Sequence, residues 1–243
     1  MQIRITLEYD GANYFGWQYQ SGQDSIQARL ESALERIFTD KVRVRGAGRT
    51  DAGVHALGQV ASFALPRPFE PAELQRALNA LLPPDIVVLA AEQAGDDFDP
   101  RRDARLRVYE YRVLNQPSPS AFEYRYSWLV RDPLDLDAMN EAAGLFVGDR
   151  DFAAFRTLGS DVKSTVRRVN LSRWSRDGAR LTYRIEANGF LRHMVRTMVA
   201  TMVEVGRGKL DPGGVSGLIA RRDRGLVPAA APAAGLFLVE VRY

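Results

Sequence analysis

The sequence predicts an α+β protein of two diverged halves, each following the strand–helix–strand–strand–helix–strand order of a ferredoxin-like unit, with mainly antiparallel sheets packed on helices. Three observations lead there. The chain opens on strict alternation, Ile3, Ile5 and Leu7 on one side and Arg4, Thr6 and Glu8 on the other, which is the period of a half-buried strand. Next, Ile26, Leu30, Leu34 and Ile37 recur at helical spacing behind two capping candidates, Asp24 and Ser25. From Arg107 onward a related order of strands and helices returns.

Asp10-Gly11 is a turn signal that closes the first strand. Lys41 to Arg45 reads as the second strand, a glycine-rich stretch follows, and Gln59–Ala64 reads as the third. Glu70 to Leu82 reads as a helix, with Pro71 in its first turn and Pro83-Pro84 beyond its end, because proline fits a helix start and not its interior. Ile86–Ala91 has the short apolar run of a buried strand. In the second half, strands are expected at Arg107–Leu114, near Tyr126–Val130, and at Arg167–Trp174, Leu181–Ala187 and Leu236–Arg242. Helices are expected near Asp137–Phe146, at Leu191–Val205 and near Val215–Ala220, with loops at Asn115–Tyr124 and Gly225–Gly235. The halves are placed at 1–104 and 105–243.

Composition narrows the chemistry. The 243 residues include no cysteine and only two histidines, His55 and His193. Disulfides, thiolate nucleophiles, zinc thiolate sites and iron–sulfur clusters are excluded, and a histidine-rich metal centre is not expected. No apolar run reaches the length of a membrane-spanning helix, and charges at Arg4, Glu8 and Asp10 argue against a secretory leader. A cytoplasmic location is therefore expected. Residues 161–243 carry 15 Arg or Lys against 7 Asp or Glu, whereas the whole chain has a net charge of only +3. Thirty of the 33 cations are arginine, whose planar fork grips phosphate and stacks on bases. The basic excess includes Arg167-Arg168 and the cluster Arg221, Arg222, Arg224, and reads either as an anionic-partner surface or as a solvated face.

Four segments could carry chemistry. In Gly46 to Ala56, three glycines within eight positions flank Arg49-Thr50-Asp51 and let a backbone come close to a ligand. If locally extended, this stretch points Arg49 and Asp51 to one side. A carboxylate beside a guanidinium suits nucleophilic or electrostatic work at a sugar carbon, or simply orders a turn. In Arg107–Arg112, Tyr109 and Tyr111 share a strand face, as base-stacking groups or as sheet core. In Asn188–Val199, the Met and Val positions fit helical packing, while Arg192 and Arg196 lie four apart, hence on one face, before the middle of the expected helix. Cations there oppose the helix dipole and so suggest a phosphate or an internal carboxylate as partner. Asp149–Arg156 mixes aromatics and charges and is weak alone.

Taken together, GRTDAGVHA at 48–56, RVYEYRV at 107–113, DFAAFR at 151–156 and NGFLRHMVRTMV at 188–199 resemble the tRNA pseudouridine synthase A family. YDGANYFGWQ at 9–18, EVGRGKL and AGLFLVEVRY match too, in the family's order across essentially the whole chain. The resemblance implies the pseudouridine synthase fold and isomerisation of uridine to pseudouridine at three adjacent tRNA anticodon stem-loop positions, 38, 39 and 40. It implies Asp51 as the nucleophile, with Arg49 paired to it and helping fill the space the flipped nucleotide vacates. Tyr109 would stack on the uracil, Arg196 would be a second cation salt-bridged to Asp51, and Leu236 would pack against the base. Arg192, His55 and Arg101 join Tyr109 and Leu236 as expected substrate contacts. The reaction has no redox change, so no cofactor and no metal are expected. The partner is tRNA, bound by a homodimer with no membrane association.

Asp99 and Pro100 stand where the family pattern has His and Ala, and Arg150 replaces a histidine before Asp151-Phe152. Two other readings remain open at this point. A non-catalytic RNA-binding module would share the RRM-like plan with strand aromatics. A glycosidase would need a second carboxylate about 5–10 Å from Asp51, where the motifs offer Arg and Tyr.

Overall fold

A computed structural model of the chain describes residues 1–157 and 162–243. Its elements begin β1 (Gln2–Tyr9), α1 (Ile26–Phe38), β2 (Arg45–Gly46), β3 (His55–Ala64), α2 (Pro71–Leu81) and β4 (Ile86–Ala94). They continue β5 (Leu106–Asn115), β6 (Trp128–Val130), α3 (Leu136–Gly144), β7 (Gly148–Asp151) and β8 (Val166–Asp177). The last are β9 (Arg180–Ala187), α4 (Met194–Gly206), α5 (Gly214–Arg221) and β10 (Leu236–Arg242). The class is α+β with mostly antiparallel pairing. Two compact units are present, Met1–Arg105 with Phe237–Tyr243, and Leu106–Leu236. The final strand, apart from Leu236, thus counts with the first unit. Among the described residues no helix is long and apolar enough to cross a membrane.

In the first unit β1 lies between β4 and β3, antiparallel to both, and β2 pairs antiparallel with the far end of β3. This is a split β-α-β arrangement, with β3 inserted between the two strands that α1 connects. The inward positions Ile3, Ile5 and Leu7 of β1 are fully buried. Ile3 stands opposite Phe63, and Ile5 opposite Ala61. Ser25 caps α1 by accepting from the Ala28 N–H, satisfying one of the unpaired amides at a helix start. The helix buries Ile26, Leu30 and Leu34 and stops at Thr39, whose φ of 61° is left-handed.

The expected second strand is mostly absent. Val42 and Val44 are buried, as alternation implied, but only Arg45 and Gly46 pair with β3. The side chains of α1 take the backbone bonds that a strand would make: Glu31 accepts from the Val44 N–H at 3.0 Å, and Gln27 Nε2 donates to the Val44 carbonyl at 3.1 Å.

In the second unit β5, β9, β8 and β7 follow one another antiparallel, and the short β6 runs parallel to β5. Register aligns Tyr111, Tyr183 and Trp174 across three strands on one face. The Trp174 indole N–H reaches Met202 Sδ in α4 at 3.2 Å. The opposite face carries Glu110, Arg184 and Glu186, ion-paired at 3.0 and 3.2 Å. Phe146, Phe152 and Phe155, with centroids 5.2–6.2 Å apart, form a buried aromatic cluster under DFAAF. β7, with the polar sequence Gly-Asp-Arg-Asp, is an edge strand that no apolar periodicity announced.

Candidate active site

Candidate side chains occur in both units. In the first, Asp51 opens a tight turn in which the Val54 N–H donates to the Asp51 carbonyl at 3.1 Å. Gly53, with φ of 76°, occupies its third position, where positive φ excludes most side chains. Before the turn, Arg49 is exposed, Thr50 buried and Asp51 half-buried. That alternation sets Arg49 and Asp51 outward on either side of an inward threonine.

The loop is held from several directions by the chain's opening segment. Tyr9 and Thr50 hydroxyls lie 2.8 Å apart in the interior. The Gln59 amide donates to the Gly48 carbonyl at 2.9 Å and reaches the Tyr9 oxygen at 3.4 Å. The Trp17 N–H donates to the Thr50 carbonyl at 3.0 Å, and the Gly53 N–H donates to that of Tyr14 at 3.3 Å. Burial pushes the Tyr9 phenol up to about 12, so it remains a neutral hydrogen-bonding group.

His55, expected as a substrate contact, belongs to this scaffold. It is 1% exposed and stacks on Phe237 at 4.7 Å. Its Nδ1 lies 3.0 Å from Asp10 Oδ1 and 3.2 Å from the Gly11 nitrogen. Protonated at Nδ1 it donates to Asp10; unprotonated there it accepts from Gly11. Either way it ties the end of the loop to the turn after β1.

Arg101 is exposed in a turn organised by Asp99, whose Oδ1 accepts from the Arg101 and Arg102 N–H groups at 2.9 Å. The bonds from Arg102 and Arg101 hold the Asp99 carboxyl below the usual carboxylate range. Pro100 follows Asp99 and offers its carbonyl to the Tyr243 hydroxyl at 3.0 Å. The two departures from the family pattern thus build a capped turn, with proline where a helical start favours it.

In the second unit Tyr109 is 8% exposed on β5, with Phe190 edge-on at 5.0 Å. Tyr111, on the same face, is fully buried and donates to the Pro232 carbonyl at 2.8 Å. Its phenol is pushed well above the ordinary tyrosine range by burial, with the Arg196 charge nearby acting in the opposite direction. Arg196 stands half-buried in the first turn of α4, its Nε donating to the Ala231 carbonyl at 2.7 Å while the Ala231 N–H donates back to the Arg196 carbonyl at 3.1 Å. Leu236 is 6% exposed.

Arg192 lies outside the helix expected to carry it. The helix begins at Met194, and His193 before it is left-handed at φ of 62°. Arg192 is therefore exposed in the preceding turn, and the four-residue spacing to Arg196 does not place the two on one helical face. Thr157 fastens this turn, donating its N–H to the Arg192 carbonyl at 3.1 Å and placing its hydroxyl 2.7 Å from His193 Nδ1.

Of the C-terminal basic cluster, Arg222 pairs with Asp151 at 3.1 Å and Arg224 donates to the Val227 carbonyl at 2.8 Å. Arg150 is exposed and donates to the carbonyls of Asp149 and Leu145. Sequence reasoning missed Tyr9, Thr50 and Gln59 as partners. The available signal was YDGANYFGWQ, two glycines and four aromatics running on from the end of a strand.

The sequence matches the family model described as tRNA pseudouridine synthase over residues 5–102 and 142–243. The chain belongs to the tRNA pseudouridine synthase family. It is 47% identical over 243 residues to a Geobacter sulfurreducens protein named tRNA pseudouridine synthase A, with 99% of each chain covered. A Pelobacter propionicus protein of the same name is 43% identical over 241 residues, again 99% of each chain. One from Myxococcus xanthus is 43% identical over 243 residues, covering 100% of this chain and 92% of the other. The tRNA pseudouridine synthase match includes Arg49, Asp51, Arg192, Arg196 and Leu236, while Tyr109 falls between its two segments. The full-length relatives align across that interval. As a member of this family the chain is an isomerase.

Proposed function

We propose that this isomerase converts uridine to pseudouridine in the anticodon stem-loop of tRNA, at positions 38, 39 and 40, with Asp51 as the nucleophile. The observation that carries the reading is the state of Asp51 itself. It is a half-exposed carboxylate at the head of a turn whose flanking backbone is clamped to the core by Tyr14, Trp17 and Gln59. A preorganised carboxylate needs little reorganisation when positive charge develops at the sugar carbon.

In this reading the target nucleotide leaves the stack, since its reacting atoms are unreachable within it. Asp51 acts at the sugar, by attack on C1′ or by removing a sugar proton, and the N1–C1′ bond breaks. The uracil turns while still held, and C5 bonds to C1′ as the Asp51–C1′ bond breaks or, on the other route, as Asp51 returns the sugar proton; the C5 proton then departs and N1 gains one. Arg49 pairs with Asp51 and occupies the space left by the flipped nucleotide. Tyr109, supported by Phe190, stacks on the uracil; Leu236 packs on the base; Arg196 adds a cation. Arg192 and Arg101, both exposed, contact phosphate. The active form is a homodimer in the cytoplasm. A module that only binds RNA has no use for a carboxylate presented this way, since it would repel phosphate.

The test is incubation of the purified protein with unmodified tRNA transcript, followed by site-resolved detection of pseudouridine. Conversion at the anticodon stem-loop is the expected result. Tight binding without conversion would overturn the reading.

A further inference from the structure

The clamp behind Asp51 has no assigned part in the reaction, although it is built from polar groups buried in the interior. Tyr9 is 4% exposed, Thr50 6% and Gln59 0%. Polar groups are expensive to bury unless each finds a partner, and this set is internally matched. The Gln59 amide N–H donates to the Gly48 carbonyl and points a longer contact at the Tyr9 oxygen. Its Oε1 accepts from the Val60 N–H at 3.2 Å. The Tyr9 and Thr50 hydroxyls complete the set by sharing one hydrogen bond at 2.8 Å.

The strands are irregular at this point. Leu7 stands opposite Gln59, yet Tyr9 stands opposite Ala56, so β3 carries one extra residue against β1. A bulge re-aims the side chains around it, and here it brings Gln59 of one strand and Tyr9 of the other to the same loop. Thr50 is thereby fixed twice, by its side chain to Tyr9 and by its carbonyl to the Trp17 N–H. Gly48, two residues earlier, is fixed by Gln59. With Thr50 pinned inward, Arg49 and Asp51 on either side have to project outward.

We propose that Tyr9 and Gln59 are positioning residues for the isomerisation, acting through Thr50 and Gly48 to set where the Asp51 carboxylate stands. The inference rests on the assignment of Asp51 as nucleophile. Both side chains are buried, so their loss is expected to affect the chemical step and to leave binding alone. A displacement of about 1 Å at a reacting group costs on the order of 100-fold in rate.

The experiment compares single-turnover pseudouridine formation and tRNA affinity for wild type, Tyr9→Phe, Gln59→Met, Thr50→Val and Thr50→Ser. Tyr9→Phe and Thr50→Val each remove one side of the same hydroxyl pair with little change of volume. Their rates are expected to fall roughly 10- to 100-fold, with Kd for tRNA within about twofold of wild type and unfolding still cooperative. Thr50→Ser keeps the hydroxyl and recovers most of the rate. The double variant Tyr9→Phe, Thr50→Val is no slower than the worse single variant, because both break one interaction. Full-rate Tyr9→Phe and Thr50→Val proteins, or losses of rate and affinity in equal proportion, would overturn the positioning role while leaving the proposed reaction standing. A wild-type protein that makes no pseudouridine would overturn both.

Discussion

A Cβ on Gly11 would stand 1.9 Å from the carbonyl oxygen of Val54. The turn after β1 and the turn that carries Asp51 therefore meet backbone to backbone, with no room for a side chain between them. His55, adjacent to Val54, reaches back to the same turn through Asp10 and Gly11. Overpacking of this kind costs about 1–3 kcal/mol. Gly11→Ala is expected to lower the urea midpoint accordingly and, by shifting the Asp51 turn, to reduce the rate further than the stability loss alone explains. An alanine variant with wild-type midpoint and rate would show that the two turns move independently.

Arg192 and Arg196 should separate in function despite their shared motif. Arg192 is exposed before the helix, so Arg192→Ala is expected to weaken tRNA binding and lower the salt slope by about one contact, with the chemical step unchanged. Arg196→Ala removes the donor to the Ala231 carbonyl and leaves that acceptor unpaired, a loss of about 1–3 kcal/mol where it is buried. Its single-turnover rate is expected to fall as well. Affinity measured against salt concentration, alongside single-turnover rates, distinguishes the two.

His193 holds a left-handed backbone at φ of 62°, a conformation that Asn and Gly accept and β-branched residues resist. His193→Asn should preserve the start of α4, while His193→Val should destabilise the protein by about 1–2 kcal/mol. Urea denaturation of the two variants reads the difference directly. Equal midpoints would mean the left-handed turn is not maintained in solution.

Alkaline pH should unfold the protein through its buried tyrosines. The Tyr9 phenol is raised from 10.0 to about 12, and burial shifts Tyr111 and Tyr183 in the same direction. The folded state thus keeps its phenolic protons at pH values where the unfolded chain has released them. That stabilisation is complete below pH 10 and is lost as pH rises through the folded value. Thermal melting followed across this range, with tyrosinate absorbance recorded in parallel, should show the melting temperature dropping before the buried phenols titrate.

The elements legible in the sequence were those whose periodicity and packing agree. β1 and α1 appeared where alternation and Ser25 placed them, because Ile3, Ile5, Leu7, Ile26, Leu30 and Leu34 all enter one core. The strand expected at Lys41–Arg45 failed for a tertiary reason: Val42 and Val44 alternate into the core, but Gln27 and Glu31 occupy the backbone groups of Val44. β7 was hidden because an edge strand of Gly-Asp-Arg-Asp buries no apolar face. The start of α4 was overrun because Leu191 and Met194 continue a helical rhythm that the left-handed His193 interrupts. At the candidate site, Asp51 and Arg49 were legible from one dense motif. The Tyr9–Thr50–Gln59 clamp was not, because its members come from three separated segments joined by a strand bulge.

The central claim is that Asp51 performs chemistry and does not merely order its turn. The measurement that tests it most directly is single-turnover conversion of an unmodified anticodon stem-loop transcript by wild type and Asp51→Asn, with tRNA affinity measured on the same preparations. Asparagine keeps the volume and one side-chain oxygen, so the variant is expected to fold, to bind tRNA nearly as tightly and to form no pseudouridine. An Asp51→Asn protein that isomerises uridine at the wild-type rate would contradict the account.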